Sequence, residues 1–223
     1  MMKLEQLQIQ ATALCCMLML ITSASAMPLF TQAPLDEGDG LQSVAFDDID
    51  FADDFILTSD AIVNGVRFFG SFFDDGVSTE STDAFRIRIF DTLDGSGSIN
   101  ADETPTVTRT STSFFDIVGA PIFQFDATLA DLLLNTGATY FLSIDYIFDA
   151  IDAEFFLLQS NETGTTFFSE FGDPFEEDFS GIGDLAFTIL GEEAATTIPE
   201  PGTITLFGLG FMLLRRRQTR LNG

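Results

Sequence analysis

Between residues 46 and 190 the sequence breaks into short segments of β type, separated by turns rich in Gly, Asp, Asn and Ser. The clearest segment is Phe85–Phe90, in which apolar residues alternate with two arginines. Alternation with a period of two places one set of side chains in a core and the other set on the opposite face of a sheet. Thr139–Tyr146 has the same character and follows the turn signal Asn135-Thr136-Gly137.

The other segments repeat this pattern at roughly even spacing, which predicts about nine short strands. They are Asp54–Thr58, Ala61–Phe73 (one or two strands), Thr104–Thr112, Ile122–Phe125, Phe155–Gln159, Thr165–Phe168 and Leu185–Leu190. Leu129–Leu134 fits either a strand or a helical turn. This spacing predicts an all-β fold, a single β-sandwich domain of jelly-roll-like type.

Aromatic composition indicates how that core is filled. The chain has 26 phenylalanines and no tryptophan, which favours an interior packed by phenylalanine over a carbohydrate-binding aromatic platform. Neighbouring phenylalanines such as Phe68 and Phe69 point to opposite faces of a strand. Either both faces of that sheet are buried there, or the surface carries an apolar patch.

The N-terminus has the three parts of a secretory signal peptide. A basic start at Lys3 precedes the apolar run Ala11–Ile21, which is too short for a comfortable membrane span, and a cleavage step of the A-x-A type follows. Cleavage after Ala24-Ser25-Ala26 would make Met27 the new N-terminus. We therefore assign residues 1–26 to a signal peptide.

Both cysteines, Cys15 and Cys16, lie inside that signal, so the mature chain has no thiol and no disulfide. Its stability must then come from a core. The polar composition at the two ends predicts a linker at 27–45, the β-sandwich at 46–190 and a second linker at 191–197.

The mature chain is strongly acidic. Of the 35 acidic residues only Glu5 and Glu200 lie outside residues 27–198, whereas that span holds four basic residues, all arginines. Such a negative field repels nucleic acid and anionic lipid headgroups. It suits divalent cations, cationic polymers, or solubility outside the cell.

The C-terminal tail, residues 198–223, has three ordered elements. Pro199-Glu200-Pro201 forms a rigid turn, Thr203–Leu214 is an apolar run, and Arg215-Arg216-Arg217 ends it. The arginines stay on the cytoplasmic side by the positive-inside rule, which predicts a transient membrane anchor. As a helix the run rises about 18 Å, short of a hydrocarbon core of about 30 Å, so flanking residues or local thinning must make up the difference.

These three elements together resemble the PEP-CTERM sorting signal of Gram-negative bacteria that make exopolysaccharide. The resemblance implies recognition by an exosortase, a membrane cysteine peptidase that removes the tail, after which the protein joins the cell surface or extracellular matrix. The body is also similar to PEP-CTERM proteins of unassigned activity, in Ala52–Leu57, Gly65–Gly70, Phe85–Phe90 and Gly137–Ile144. That similarity implies a secreted β-sandwich and no known reaction.

Residue types restrict the possible chemistry. Without His, Lys or Cys in the mature domain, Ser-His-Asp, Cys-His and Schiff-base mechanisms are excluded, and zinc, copper and iron sites are disfavoured. Two kinds of site remain. Paired carboxylates can hydrolyse glycosides, and cages of oxygen ligands can hold calcium.

Residues 92–103 resemble an EF-hand calcium loop. Asp94, Ser96 and Asn100 stand at ligand positions three, five and nine, and Glu103 stands at the final bidentate position. Thr92 replaces the aspartate expected at position one. The alternative is an acidic hairpin loop that binds no metal.

Two acidic runs, Asp47–Asp54 and Glu176–Asp178, admit similar readings. The first is a weaker calcium candidate, but a solvated strand edge that discourages aggregation explains it as well, and we read the second in the same way. Arg86 and Arg88 are expected to pair with carboxylates across the sheet.

Taken together, these features predict a non-enzymatic exported surface or matrix protein associated with exopolysaccharide, sorted by an exosortase, with calcium as a candidate ligand. Its membrane contact would be transient, through the C-terminal helix in the inner membrane. Two alternatives stay open. One is a lectin-like carbohydrate-binding module, marked by an exposed aromatic stripe beside a calcium loop. The other is a carboxylate-dependent glycosidase, which requires two carboxyl groups about 5 to 10 Å apart in a cleft.

Overall fold

A computed structural model describes residues 26–43, 49–72, 83–93, 99–147, 154–162, 164–170, 175–177 and 183–194. This part of the chain is all-β, with thirteen strands and no helix. The strands are β1 Met27–Thr31, β2 Gly40–Gln42, β3 Ile49–Ile56, β4 Ala61–Phe72, β5 Phe85–Phe90, β6 Ile99–Glu103, β7 Val107–Phe115, β8 Pro121–Leu134, β9 Thr139–Tyr146, β10 Phe155–Leu158, β11 Thr166–Glu170, β12 Glu176–Glu177 and β13 Phe187–Glu193.

The strands with the clearest alternation are confirmed. β5 and β9 span the predicted residues. β5 buries alternate side chains up to Phe90, which is buried on the outer face, and in β9 the outward-facing Ser143 and Asp145 are buried as well. The predicted turn between β8 and β9 contains Gly137 at a φ of 71°, a left-handed conformation that favours glycine. The two stretches Ile122–Phe125 and Leu129–Leu134 belong to one long strand, β8, so the helical alternative for the second does not hold.

A seven-stranded sheet is built around β4. β8 pairs along one side of β4, and β7 pairs with β8 at the outer edge. On the other side of β4, β13 and β10 lie end to end, and they pair in turn with β1 and β2. All these pairings are antiparallel.

A six-stranded antiparallel sheet has the order β12-β11-β3-β9-β5-β6. Because β3 lies between β11 and β9, the acidic run at 47–54 is not the sheet edge that the sequence suggested. In its described part, Ile49–Phe51 pair with β11, Ala52 and Asp53 pair with both neighbours, and Asp54 pairs with β9. β3 lies inside the sheet because Phe51 and Phe55 are buried in the core, and the aspartates between them are therefore part of an inner strand.

Both sheets contribute to one hydrophobic core, and phenylalanine fills much of it. Phe68 on β4 contacts Phe85 on β5 edge-on, with ring centroids 4.9 Å apart, and Phe85 contacts Phe155 on β10 at 5.0 Å. Phe125 on β8 stacks on Phe68 at 5.1 Å. The prediction of a phenylalanine-packed interior is confirmed by these contacts.

The outer face of the seven-stranded sheet is also buried at one place. Phe69, beside Phe68 on β4, packs with Ile122, Leu158 and Ala186 in a separate small cluster. The first of the two alternatives for adjacent phenylalanines, burial of both faces, therefore holds at this pair.

The structure differs from the expected linker at 27–45. β1 and β2 lie in this segment and extend the seven-stranded sheet, and Leu29 and Phe30 pack against the core. Backbone pairing explains the difference, because a segment with a polar composition still forms a strand where neighbouring strands complete its hydrogen bonds. For the same reason β13 continues to Glu193, which pairs with Ala61, so the strand includes the first three residues of the expected second linker.

Candidate functional site

Both ends of the described chain lie at the same end of the seven-stranded sheet. Met27, the first residue of β1, is in register with Gly191 on β13. Just beyond β13, the N–H of Ala194 donates to the carbonyl of Asp60 at 2.7 Å. The start of β1 and the exit of the chain toward the tail are therefore neighbours.

The predicted signal cleavage site adjoins this end. Ala26 and Met27 are exposed, the latter by 49% of its surface, and Ala24 lies outside the described residues. The tail residues Pro199, Glu200, Pro201, Arg215, Arg216 and Arg217 also lie outside them. Within the described ranges, no helix has the length and apolar character to cross a membrane.

The candidate calcium loop, residues 92–103, begins after β5 and includes all of β6. Thr92 is exposed, Asn100 belongs to β6, and Asp94 and Ser96 lie outside the described residues. Both carboxylate oxygens of Glu103 accept the backbone N–H of Ala130, at 3.2 and 3.1 Å. No group of three or more His, Cys, Asp or Glu residues is arranged to hold a metal ion in the part of the chain that the structure describes.

Arginines and carboxylates form a network on the outer face of the six-stranded sheet. Arg86 makes two hydrogen bonds of 2.7 Å to Asp102 on the neighbouring strand β6. Arg88 contacts Asp50 on β3 at 2.7 Å and Asp145 on β9 at 2.9 Å. The predicted cross-strand pairing of both arginines is thus confirmed.

The two arginine–aspartate pairs differ in burial, and the pKa values of their aspartates shift in opposite directions. The pKa of Asp102 is lowered because Arg86 donates a hydrogen bond to its carboxylate. Burial raises the pKa of Asp145 to about 7, although the positive charge of Arg88 opposes the rise; the negative charge of Asp50 adds to it. The pKa of Asp145 therefore lies near neutral pH, so the charge of this group changes within the ordinary pH range.

The two remaining arginines of the body are also engaged. Arg67 contacts Asp126 at 2.7 Å. Arg109 contacts Asp83 at 3.2 Å and lies over the ring of Phe123, with 5.2 Å to the centroid. All four arginines between residues 27 and 198 thus face carboxylates at these sites.

Asp53 is a carboxylate inside the common core. It is fully buried on β3, and one of its oxygens, Oδ2, accepts the backbone N–H of Leu185 at 2.5 Å, which ties β3 to the segment leading into β13. The other oxygen, Oδ1, has no hydrogen-bond partner among the described residues. Burial raises the pKa of Asp53 to about 8; the Leu185 N–H opposes this, and repulsion from Asp184 adds to it.

Asp184 is the acidic neighbour of Asp53. It is buried to 8% exposure, and burial, followed by repulsion from Asp54 and Glu162, raises its pKa. Its carboxylate lies against Gly164, where a Cβ atom would overlap both carboxylate oxygens. A glycine at 164 is thus required for Asp184 to occupy this position.

Sequence reasoning did not select this pair, although a signal for Asp53 was present. In a strand, Asp53 shares a face with Phe51 and Phe55, and both phenylalanines are buried. Applied to the whole of β3, the alternation would have placed the carboxylate in the core. Asp184 precedes a strand and had no such signal.

The exposed aromatic stripe that would mark a lectin-like module is not found beside residues 92–103 in the described ranges. Phe115 is the one aromatic residue among the large apolar side chains exposed there. It pairs with Pro121, at the opposite end of β8 from Ala130, the residue that Glu103 contacts.

Comparison with protein families identifies a PEP-CTERM protein-sorting motif at residues 197–218. This confirms the resemblance of the tail, and it indicates an exported protein that is transiently anchored in the membrane before an exosortase processes it. The comparison with curated proteins found no match.

Proposed function

We propose that this protein is a non-enzymatic component of the cell surface or extracellular matrix of an exopolysaccharide-producing Gram-negative bacterium. The two sheets would form one exported β-sandwich of jelly-roll-like type, and the tail would direct its sorting. The observation that carries the proposal is the PEP-CTERM motif at 197–218, which begins three residues after the last described residue of the body.

The position of the chain ends supports this role. From Ala194 to the apolar run at Thr203 the chain has nine residues, which span at most about 30 Å when extended. The end of the sheet where β1 starts and β13 finishes would therefore face the membrane while the tail is uncut. A signal peptide joined to Met27 would leave from that same end.

The charge of the body supports a location away from lipid. A chain with four arginines against its many carboxylates is repelled by anionic headgroups, so the tail has to supply the membrane contact. After removal of the tail, the same charge keeps the released domain soluble. Matrix polymers that are cationic, or that are bridged by divalent cations, fit this surface.

The sorting step is tested by replacing Pro199, Glu200 and Pro201 together with alanine. The parent chain is expected in the surface or matrix fraction without its tail, and the triple variant in the membrane fraction at full C-terminal length. Glu193→Ala, an exposed change just before the tail, is the matched control and should sort normally. Normal processing of the triple variant would contradict the proposal.

Association with exopolysaccharide is tested in cells that cannot make the polymer. The processed protein should then move from the matrix fraction to the medium, with processing itself unchanged. An unaltered distribution would rule out the polymer as the binding partner. Turnover of labelled polysaccharide by the purified protein would overturn the non-enzymatic assignment.

A further inference from the structure

The core holds negative charge that the arginines of the protein do not neutralise. Asp53 is fully buried and Asp184 is nearly so, and burial makes the charged form of each carboxyl group costly, which raises both pKa values. The four arginines of the body contact other carboxylates, on Asp50, Asp83, Asp102, Asp126 and Asp145. The charge at Asp53 and Asp184 must therefore be met by a proton or by a cation from solution.

One oxygen of Asp53 is unused. Oδ2 of Asp53 is occupied by the N–H of Leu185, whereas Oδ1 is buried without a hydrogen-bond partner among the described residues. A buried polar atom without a partner is rare, because it loses its hydration without compensation. Oδ1 thus offers a free ligand atom beside a second carboxylate.

Gly164 leaves the space that the carboxylate of Asp184 occupies. A side chain at position 164 would fill that space, so only glycine leaves room for the carboxylate. Asp184 directly precedes Leu185, whose N–H donates to Oδ2 of Asp53, so the backbone brings the two aspartates to adjacent positions. Without a ligand, two like charges held in this way would be expected to separate.

We propose that Asp53 and Asp184 bind a divalent cation of the calcium class, in a site that links β3 to the segment leading into β13. Calcium prefers oxygen ligands and takes part of its coordination from backbone carbonyls and water, so two carboxylates suffice as its charged ligands. Glu162 is exposed, and its negative charge acts on Asp184. The site is distinct from the loop at 92–103 and independent of the sorting role.

Thermal unfolding of the full chain in detergent, first in chelator and then in calcium, tests the proposal. Calcium at about 100 times its dissociation constant should raise the folded-to-unfolded ratio about 100-fold, equivalent to about 2.7 kcal/mol. Asp53→Asn and Asp184→Asn should each lose this response. Should Asp53→Asn fail to fold, the more peripheral Asp184→Asn and the calcium content of the desalted parent chain decide the question.

Two control variants distinguish this site from others. Asp145→Asn removes a buried carboxylate that has an arginine partner, and Glu103→Gln alters the loop at 92–103; both should keep the full calcium response. Loss of the response in Glu103→Gln alone would overturn the proposal and assign the ion to that loop. An equal response in all variants, or none in the parent chain with calcium, magnesium or manganese, would also overturn it.

Discussion

Replacing Arg88 with methionine is expected to destabilise the protein far more than the same change at Arg86. The two arginines occupy the same face of β5, two residues apart, and both contact aspartates. They differ in burial. Arg88 is 14% exposed and Asp145, its partner, 1%, whereas the pair of Arg86 and Asp102 is 41% and 37% exposed.

Burial sets the magnitude of each effect. Removing one partner of a buried ion pair leaves an uncompensated charge and costs about 3–5 kcal/mol. Here Arg88→Met would leave Asp145 and Asp50 without their ion-pair partner and would also remove a hydrogen bond to Ser143. A solvent-exposed pair contributes about 0–1 kcal/mol, which is the range expected for Arg86→Met.

Urea unfolding of both variants at pH 8 and pH 5 provides the assay. Since the pKa of Asp145 is about 7 with Arg88 present, and loss of that positive charge raises it further, Asp145 is protonated at pH 5. The cost of Arg88→Met should therefore be largest at pH 8 and smaller at pH 5. Equal losses for the two variants, or a loss for Arg88→Met that does not change with pH, would refute the reasoning.

Three further changes have definite expected results. In chelator, Asp53 should lower the stability of the parent chain by up to about 1.4 kcal/mol per pH unit as pH rises from about 4 to about 8, because its folded pKa lies above its unfolded value. Asp145, whose pKa is also raised, contributes a fall of the same sign, so Asp53→Asn should reduce the slope in urea titrations without abolishing it. Phe68→Ala should cost about 3–5 kcal/mol in the core, and Phe115→Ala, with half of its side chain exposed, should stay within about 0.5 kcal/mol in thermal melts. Gly164→Ala should displace the carboxylate of Asp184, lower the free energy of unfolding by about 1–3 kcal/mol and weaken the stabilisation by calcium. A variant that calcium stabilises as much as the parent chain would count against the site.

The sequence predicted well those parts of the fold that repeat a local rule. β5 and β9 alternate apolar and polar residues, and the turn before β9 needs a glycine, so their positions follow from strand geometry alone. For β1 and β2 the sequence predicts a linker, because their few residues carry no such pattern. They become strands through long-range pairing with β13 and β10, which a local reading cannot detect.

The candidate site was predicted less well, because it depends on contacts between distant segments. Asp53 and Asp184 are 131 positions apart, and they are brought together where Leu185, the residue after Asp184, donates its N–H to Asp53. The tail is the opposite case. Its turn, apolar run and arginines are contiguous, so its identity could be recognised from the sequence and was confirmed by the family comparison.

The central claim, export followed by removal of the tail, is tested most directly by the intact mass of the protein recovered from the surface fraction. The account predicts a chain that starts at Met27 and lacks the apolar run and arginines after Pro199-Glu200-Pro201, and that keeps its tail in cells without the exosortase. A surface-located chain that still ends at Gly223 in normal cells would contradict it.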